Sequence, residues 1–166
     1  FFSHTSNVEV EQFRSEFSNS AKRVEVFNRL QSYIGFGGLI HDFKNYVLSG
    51  KAEYLTRFSD KFHQVTQQIG NDLQLPFLSS SEKESLNIIL NTVTAYYQQI
   101  ESVRLMHANQ DPVIGSDKLF TIDDKPALEA VKLLSSFNQG SLDAEDWWYK
   151  ASRRLALIRD ISDVIA

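Results

Sequence analysis

The chain has 166 residues, no cysteine, and 17 Lys and Arg against 21 Asp and Glu, which gives a formal net charge of -4. This length suits one domain that buries a core without metals or disulfides, and we expect a single domain over residues 1–166. The lack of cysteine excludes thiol catalysis, cysteine-ligated zinc and disulfide frameworks. Because the balance is acidic and no basic run is present, we expect no nucleic-acid partner.

The sequence has no segment that approaches the roughly 20 apolar residues needed to cross a bilayer, and no signal-peptide pattern. It nevertheless begins with Phe1 and Phe2 rather than Met. Residues 160–166 continue an apolar periodic pattern without a Gly or Pro stop signal. We therefore expect that the chain is cut from a longer protein at both ends.

Glycine and proline are scarce, with 7 and 3 residues, which favours long helices over a turn-rich β architecture. The first predicted helix runs from about residue 7 to residue 48, and the glycines at 35, 37 and 38 predict a bend within it. Its apolar seam advances in steps of three and four residues. The seam consists of Phe27, Leu30, Ile34, Gly37, His41, Lys44 and Leu48.

Two more long helices are predicted after the stop signal Ser49-Gly50. The second extends from Tyr54 to a break at Leu75-Pro76. The third begins at the N-cap run Ser79–Ser81, where acidic residues in the first turn favour a helix start, and it ends near Asn109.

A short helix is predicted over residues 127–137, after the acidic and Pro-containing start at Asp123–Pro126. A last helix begins near Ser141 and extends to Ile165. Short connections between long amphipathic helices predict an all-α fold. We expect an up-down-up-down four-helix bundle with the short helix as an addition in the third connection.

The polar residues of the predicted bundle suggest a ligand site at one end. In this topology the ends of the first and third helices and the start of the last helix meet. We predict a pocket there, lined by Tyr33, His41, Lys44, Arg104 and Trp147. Because two of these are fixed cations and His41 titrates near neutral pH, an anionic ligand is favoured. Structural roles are the alternative for each residue, such as a hydrogen-bonded core histidine or a lysine that extends to solvent.

Catalytic and metal chemistry find little support in the sequence. The run His41–Asn45 matches the H-[DE]-x-[KR]-[NT] core of a histidine-kinase phosphoacceptor helix, but Tyr46 stands where such helices carry Pro and no Gly-rich ATP-binding motif follows. The four histidines form no metal-binding pair, and hydrolase motifs are absent. We expect no catalytic residues, no metal and no cofactor, with histidine phosphotransfer as a minor alternative.

The run from Ile34 to Leu48 resembles a stretch of the extracytoplasmic helical-bundle sensor domains of bacterial membrane receptors, which include methyl-accepting chemotaxis proteins and diguanylate cyclases. Asp123–Ala130 and Trp147–Leu155 are similar to two further stretches of those domains. Together they cover most of the chain from Val26 onward, although Ser49 stands where the family pattern has Arg.

This resemblance implies a periplasmic domain anchored by flanking membrane helices, a small-molecule ligand, and a cytoplasmic output module outside this chain. A chemotaxis receptor is the favoured case, and a structural or protein-interaction bundle without a small-molecule ligand is the alternative. We also expect a homodimer, since a second apolar stripe lies beside the core seam of the first helix. That stripe consists of Phe36, Leu39, Phe43 and Tyr46.

Overall fold

The computed structural model describes residues 2–34, 38–112, 122–123 and 125–136, without the side chains at 2–7, 9, 10, 13 and 17. Five α-helices make up its regular secondary structure: α1 Phe2–Ile34, α2 Leu39–Ser49, α3 Ala52–Asp72, α4 Ser80–Ala108 and α5 Lys125–Ser136. The predicted all-α class is confirmed, since the described residues include no strand. The predicted last helix from Ser141, and Trp147 with it, lies outside the described residues.

The first predicted helix is two helices in the structure. α1 ends at Ile34, and α2 begins at Leu39 after Gly38, whose backbone is extended at φ -84 and ψ -160. A break in the glycine cluster was expected because glycine weakens helices and tolerates many backbone conformations. The restart matters for the site, because the helical phase of α1 is not carried into α2.

The other predicted helix ends agree with the structure to within about three residues. Ser79 caps α4: its hydroxyl accepts the Glu82 N–H at 3.2 Å, and the Glu82 carboxylate accepts the Ser79 N–H at 2.6 Å. This reciprocal pair is a capping box, and it satisfies two N–H groups at the helix start. Asp123 Oδ1 accepts the Lys125 N–H at 3.1 Å in front of α5, as an N-cap acid was expected to do.

The hydrophobic core is formed by one face of every helix, and the buried α1 side chains that the structure describes, from Val26 to Ile34, lie in the C-terminal part of that helix. Aromatic contacts link three helices at its centre: the ring of Phe43 lies 5.7 Å from that of Phe58 on α3 and 5.1 Å from that of Tyr96 on α4. These three side chains are nearly fully buried. Rings at such distances pack favourably, so the centre of the core joins α2, α3 and α4.

The short helix α5 belongs to this core. It buries Ala127, Ala130, Val131 and Leu134, which share one helical face. Its first turn lies near the middle of α4, beside Asn91 and Gln98, whereas its end lies near Leu86. α5 therefore runs antiparallel to α4 and covers the N-terminal half of that helix.

Three buried carboxylates join the helices through ion pairs. Asp42 on α2 pairs with Lys61 and Arg57 of α3, at 2.5 and 3.4 Å. On α1, Arg29 reaches Asp72 at 3.7 Å. The third pair joins Arg23 of α1 to Glu82 of α4 at 2.8 Å. A buried acid paired across helices constrains how those helices pack.

None of the described helices is both long enough and apolar enough to cross a membrane.

Candidate functional site

Helix α2 carries the most distinctive part of the sequence, and its two faces differ. The face toward α3 and α4 is buried; it comprises Leu39, Ile40, Asp42, Phe43, Tyr46 and Val47. His41 and Lys44 lie on the other side and are half-buried, and Leu48 is 46% exposed. The prediction that His41, Lys44 and Leu48 continue the core seam of α1 is therefore wrong. It failed because the helix restarts after Gly38, which shifts the phase of the apolar positions.

The C-terminal end of α2 is bound by a histidine of α4. Nε2 of His107 lies 2.9 Å from the carbonyl oxygens of both Tyr46 and Val47. Since both partners are acceptors, this nitrogen carries the proton and donates to the last turn of α2. Carbonyl groups in the last turn of a helix have no partner within the helix, so His107 satisfies the Val47 carbonyl and adds a second hydrogen bond at the Tyr46 carbonyl. This contact gives His107 a structural role at the junction of α2 and α4.

Gly50 makes this contact possible. It adopts the left-handed conformation at φ 65, and its N–H donates to the Tyr46 carbonyl oxygen at 2.8 Å. A Cβ atom at position 50 would lie 2.9 Å from Nδ1 of His107. Both the backbone conformation and the close approach of the imidazole therefore require glycine.

Arg104 stands one helical turn before His107, on the exposed surface of α4. Its guanidinium donates two hydrogen bonds to Glu101, at 2.8 and 2.6 Å. Burial raises the pKa of the Tyr46 hydroxyl, an effect partly opposed by the positive charge of Arg104 and reinforced by Glu101. Arg104 is thus close enough to α2 for its charge to affect Tyr46, but its side chain does not face the core. Val103 and Met106 take the buried positions instead.

The structure places three of the five predicted site residues on two helices that contact each other. The ends of α2 and α4 meet as expected, and His41, Lys44 and Arg104 all lie on these two helices. Tyr33 is in the last turn of α1, half-buried against the core and before the break at Gly38. Trp147 lies outside the described residues. A pocket formed by all five residues therefore stays a prediction.

The apolar stripe that was expected to form a dimer surface is part of the core. Leu39, Phe43 and Tyr46 are all buried within the chain itself, and Phe36 lies outside the described residues. The prediction that this stripe forms a dimer surface was wrong for the same reason as the predicted seam. The apolar positions of α2 do not continue the helical phase of α1. Dimerisation itself stays a prediction, and it needs a different surface.

The burial and ion pairing of Asp42 were not predicted from the sequence. Its carboxylate faces α3, where Lys61 donates to it at 2.5 Å. The phosphoacceptor motif assigns the acid next to the histidine to helping the imidazole, whereas this acid serves the packing of α2 on α3. A basic pair at Arg57 and Lys61, four residues apart on the predicted second helix, was the one signal of an acidic partner.

Neither a metal site among the described residues nor a similarity to a known protein identifies a function. Within the described ranges, no cluster of three or more His, Asp or Glu side chains is arranged to hold a metal ion. No family model matches the chain, and no curated protein or solved structure is significantly similar to it.

Proposed function

We propose that this chain is the ligand-sensing, extracytoplasmic domain of a bacterial transmembrane receptor, with a chemotaxis receptor as the favoured case. The observation behind this proposal is the arrangement of α2. The segment that resembles receptor sensor domains forms a helix of its own. His41 and Lys44 lie on its half-buried side, and its C-terminal end meets the end of α4 that carries the exposed Arg104.

This arrangement supports an anionic ligand. Lys44 in the middle of α2 and Arg104 near the end of α4 supply two permanent cations, and His41 at the start of α2 would add a third charge when protonated. A carboxylate or phosphate that bridges them would form charge-assisted hydrogen bonds. Binding requires Arg104 to exchange Glu101 for the ligand, which is inexpensive because exposed ion pairs of this kind contribute little.

A signal would follow from the break between α1 and α2. A ligand that binds one arrangement of α2 and α4 better than another shifts the population toward it. In the proposed receptor, an up-down-up-down bundle places α1 next to the membrane and α2 at the far end. Hairpins of α2 with α3 and α3 with α4, each joined by a short connection, support that arrangement. The proposal includes a periplasmic location and a homodimer in the intact receptor.

A thermal-shift screen tests the proposal. Small carboxylates, phosphates and sulfates would be compared with amines and neutral metabolites at equal concentration, since a compound that binds only the folded state raises the unfolding midpoint. We expect saturable increases for a subset of the anions. A flat response across a broad library would favour the alternative of an interaction bundle without a small-molecule ligand.

A further inference from the structure

We propose that a cleft between α4 and the start of α5 is a second small-molecule site, and that it takes an organic ammonium compound. The cleft has a volume of about 410 Å³, which is within the usual range of ligand pockets. It is open to the surface.

The lining combines an apolar floor with several carboxamides. Ile88, Ala95, Ile122 and Pro126 provide the apolar part. Asn91, Gln98 and Gln99 provide three side-chain amides along one face of α4, each able to donate and to accept hydrogen bonds. An apolar surface with a few polar groups that converge on it is the usual composition of a small-molecule site.

The charge of the cleft selects the class of ligand. Asp123 is the charged residue among its described lining groups, and it is exposed in front of α5. Its Oδ1 accepts the Lys125 N–H, but a carboxylate has about four acceptor positions, so it can also accept from a ligand. An ammonium group would pair with Asp123 and donate to the amide oxygens. An anion would meet a carboxylate and, among the described lining residues, no cation.

This site is separate from the predicted anion site. By helical periodicity, Arg104 projects from the side of α4 opposite to the cleft residues Asn91, Ala95 and Gln98. The ligands also differ in sign of charge. The cleft can therefore bind an amine whether or not the chain is a sensor for anions, and the two proposals can fail independently.

Nuclear magnetic resonance on ¹⁵N-labelled full chain tests the cleft with three probes of similar shape: 2-phenylethylammonium, 2-phenylethanol and 3-phenylpropionate. We expect the ammonium probe to shift the side-chain amide signals of Asn91, Gln98 and Gln99 in a saturable way. The alcohol should bind more weakly, and the carboxylate should cause no saturable shift.

A conservative substitution identifies the charged contact. Asp123→Asn keeps an oxygen that can cap α5, yet it removes the negative charge, and it should weaken binding of the ammonium probe about tenfold. Asp111→Asn, at an exposed acid outside the cleft, should leave binding unchanged. Equal affinity for the three probes, signals that move elsewhere in the protein, or unchanged affinity in Asp123→Asn would each overturn the proposal.

Discussion

The two ends of α4 are joined to the rest of the protein by different chemistry. At its N-terminal end a buried acid is held by charge: Glu82 accepts hydrogen bonds from the Ser79 N–H at 2.6 Å and from Nε of Arg23 at 2.8 Å. At its C-terminal end the contact is made by the His107 imidazole and backbone carbonyls of α2, while Arg104 stays at the surface. The charged groups are thus used for folding at one end and are exposed at the other.

Two buried acids near this end have opposite pKa shifts: Glu82 lies in the first turn of α4, and Asp72 is the last residue of α3. Burial acts to raise the pKa of Glu82, but the Ser79 N–H and Arg23 outweigh it and the pKa is lowered. Burial raises the pKa of Asp72, because Gln68 and the more distant Arg29 only partly compensate. Among the described residues, Oδ2 of Asp72 and Nε of Arg29 are buried without a hydrogen-bond partner. Hydrogen bonds, rather than the presence of a nearby arginine, decide whether a buried acid is stabilised.

The largest effect is expected at the charged end. Glu82→Ala removes the capping box and leaves Arg23 unpaired, so the free energy of unfolding should fall by about 2–3 kcal/mol at pH 7. Urea denaturation measures it, with Glu84→Ala, an exposed acid of the same helix, as the control. Because the folded pKa of Glu82 is lowered, its contribution is present above the ordinary pKa of glutamate and lost as the pH falls through the folded pKa. A difference that does not shrink in acid would contradict this explanation.

Gly50→Ala tests the other end. The left-handed conformation and the contact with His107 should together reduce stability by about 1–2 kcal/mol. Gly70→Ala is the matched control, because a Cβ at that position in α3 meets nothing within 4 Å, and it should raise stability by about 0.5–1 kcal/mol. Thermal unfolding of both variants checks the contrast, and equal shifts of the midpoint would refute the role given to Gly50.

Asp72→Asn tests whether the two buried acids, Asp72 and Glu82, have opposite effects on stability. The raised pKa of Asp72 means that its ionised form is disfavoured in the folded protein, so the neutral amide should stabilise the fold by about 1 kcal/mol at pH 7–8. This gain should disappear below the ordinary pKa of aspartate, where both folded and unfolded states are protonated. Asp60→Asn, at an exposed position of α3, should change little at any pH. Loss of stability in Asp72→Asn at neutral pH would show that the Arg29 pair outweighs burial.

The smallest effect on stability is expected for Arg104→Ala. Its ion pair with Glu101 is exposed and formed within one helix, so the free energy of unfolding should be almost unchanged. Arg14→Ala, which breaks an equivalent exposed pair with Glu11 three residues away, is the control and should behave alike. A much larger loss in Arg104→Ala would mean that Arg104 serves the fold instead of a ligand.

The sequence predicted features that depend on neighbours along the chain and missed those that depend on contacts between helices. Ser79, Gly50 and the break before α2 were identified because caps and helix-weakening residues act locally. The phase of α2 was missed by about one residue, since the restart after Gly38 is not encoded in a repeat. The pairing of His107 with the carbonyls of Tyr46 and Val47 required the position of α4 beside α2. The sequence therefore predicted which helix ends meet at the site, but it did not predict which way the side chains of α2 face.

Calorimetric titration of the best anion from the thermal-shift screen tests the central proposal most directly. Lys44→Ala and Arg104→Ala should each weaken binding by more than about 1 kcal/mol, which is at least about fivefold, in protein that remains folded. Arg14→Ala should bind like the unmodified chain. Unchanged affinity in both Lys44→Ala and Arg104→Ala would contradict the account and place the anion site elsewhere in the protein.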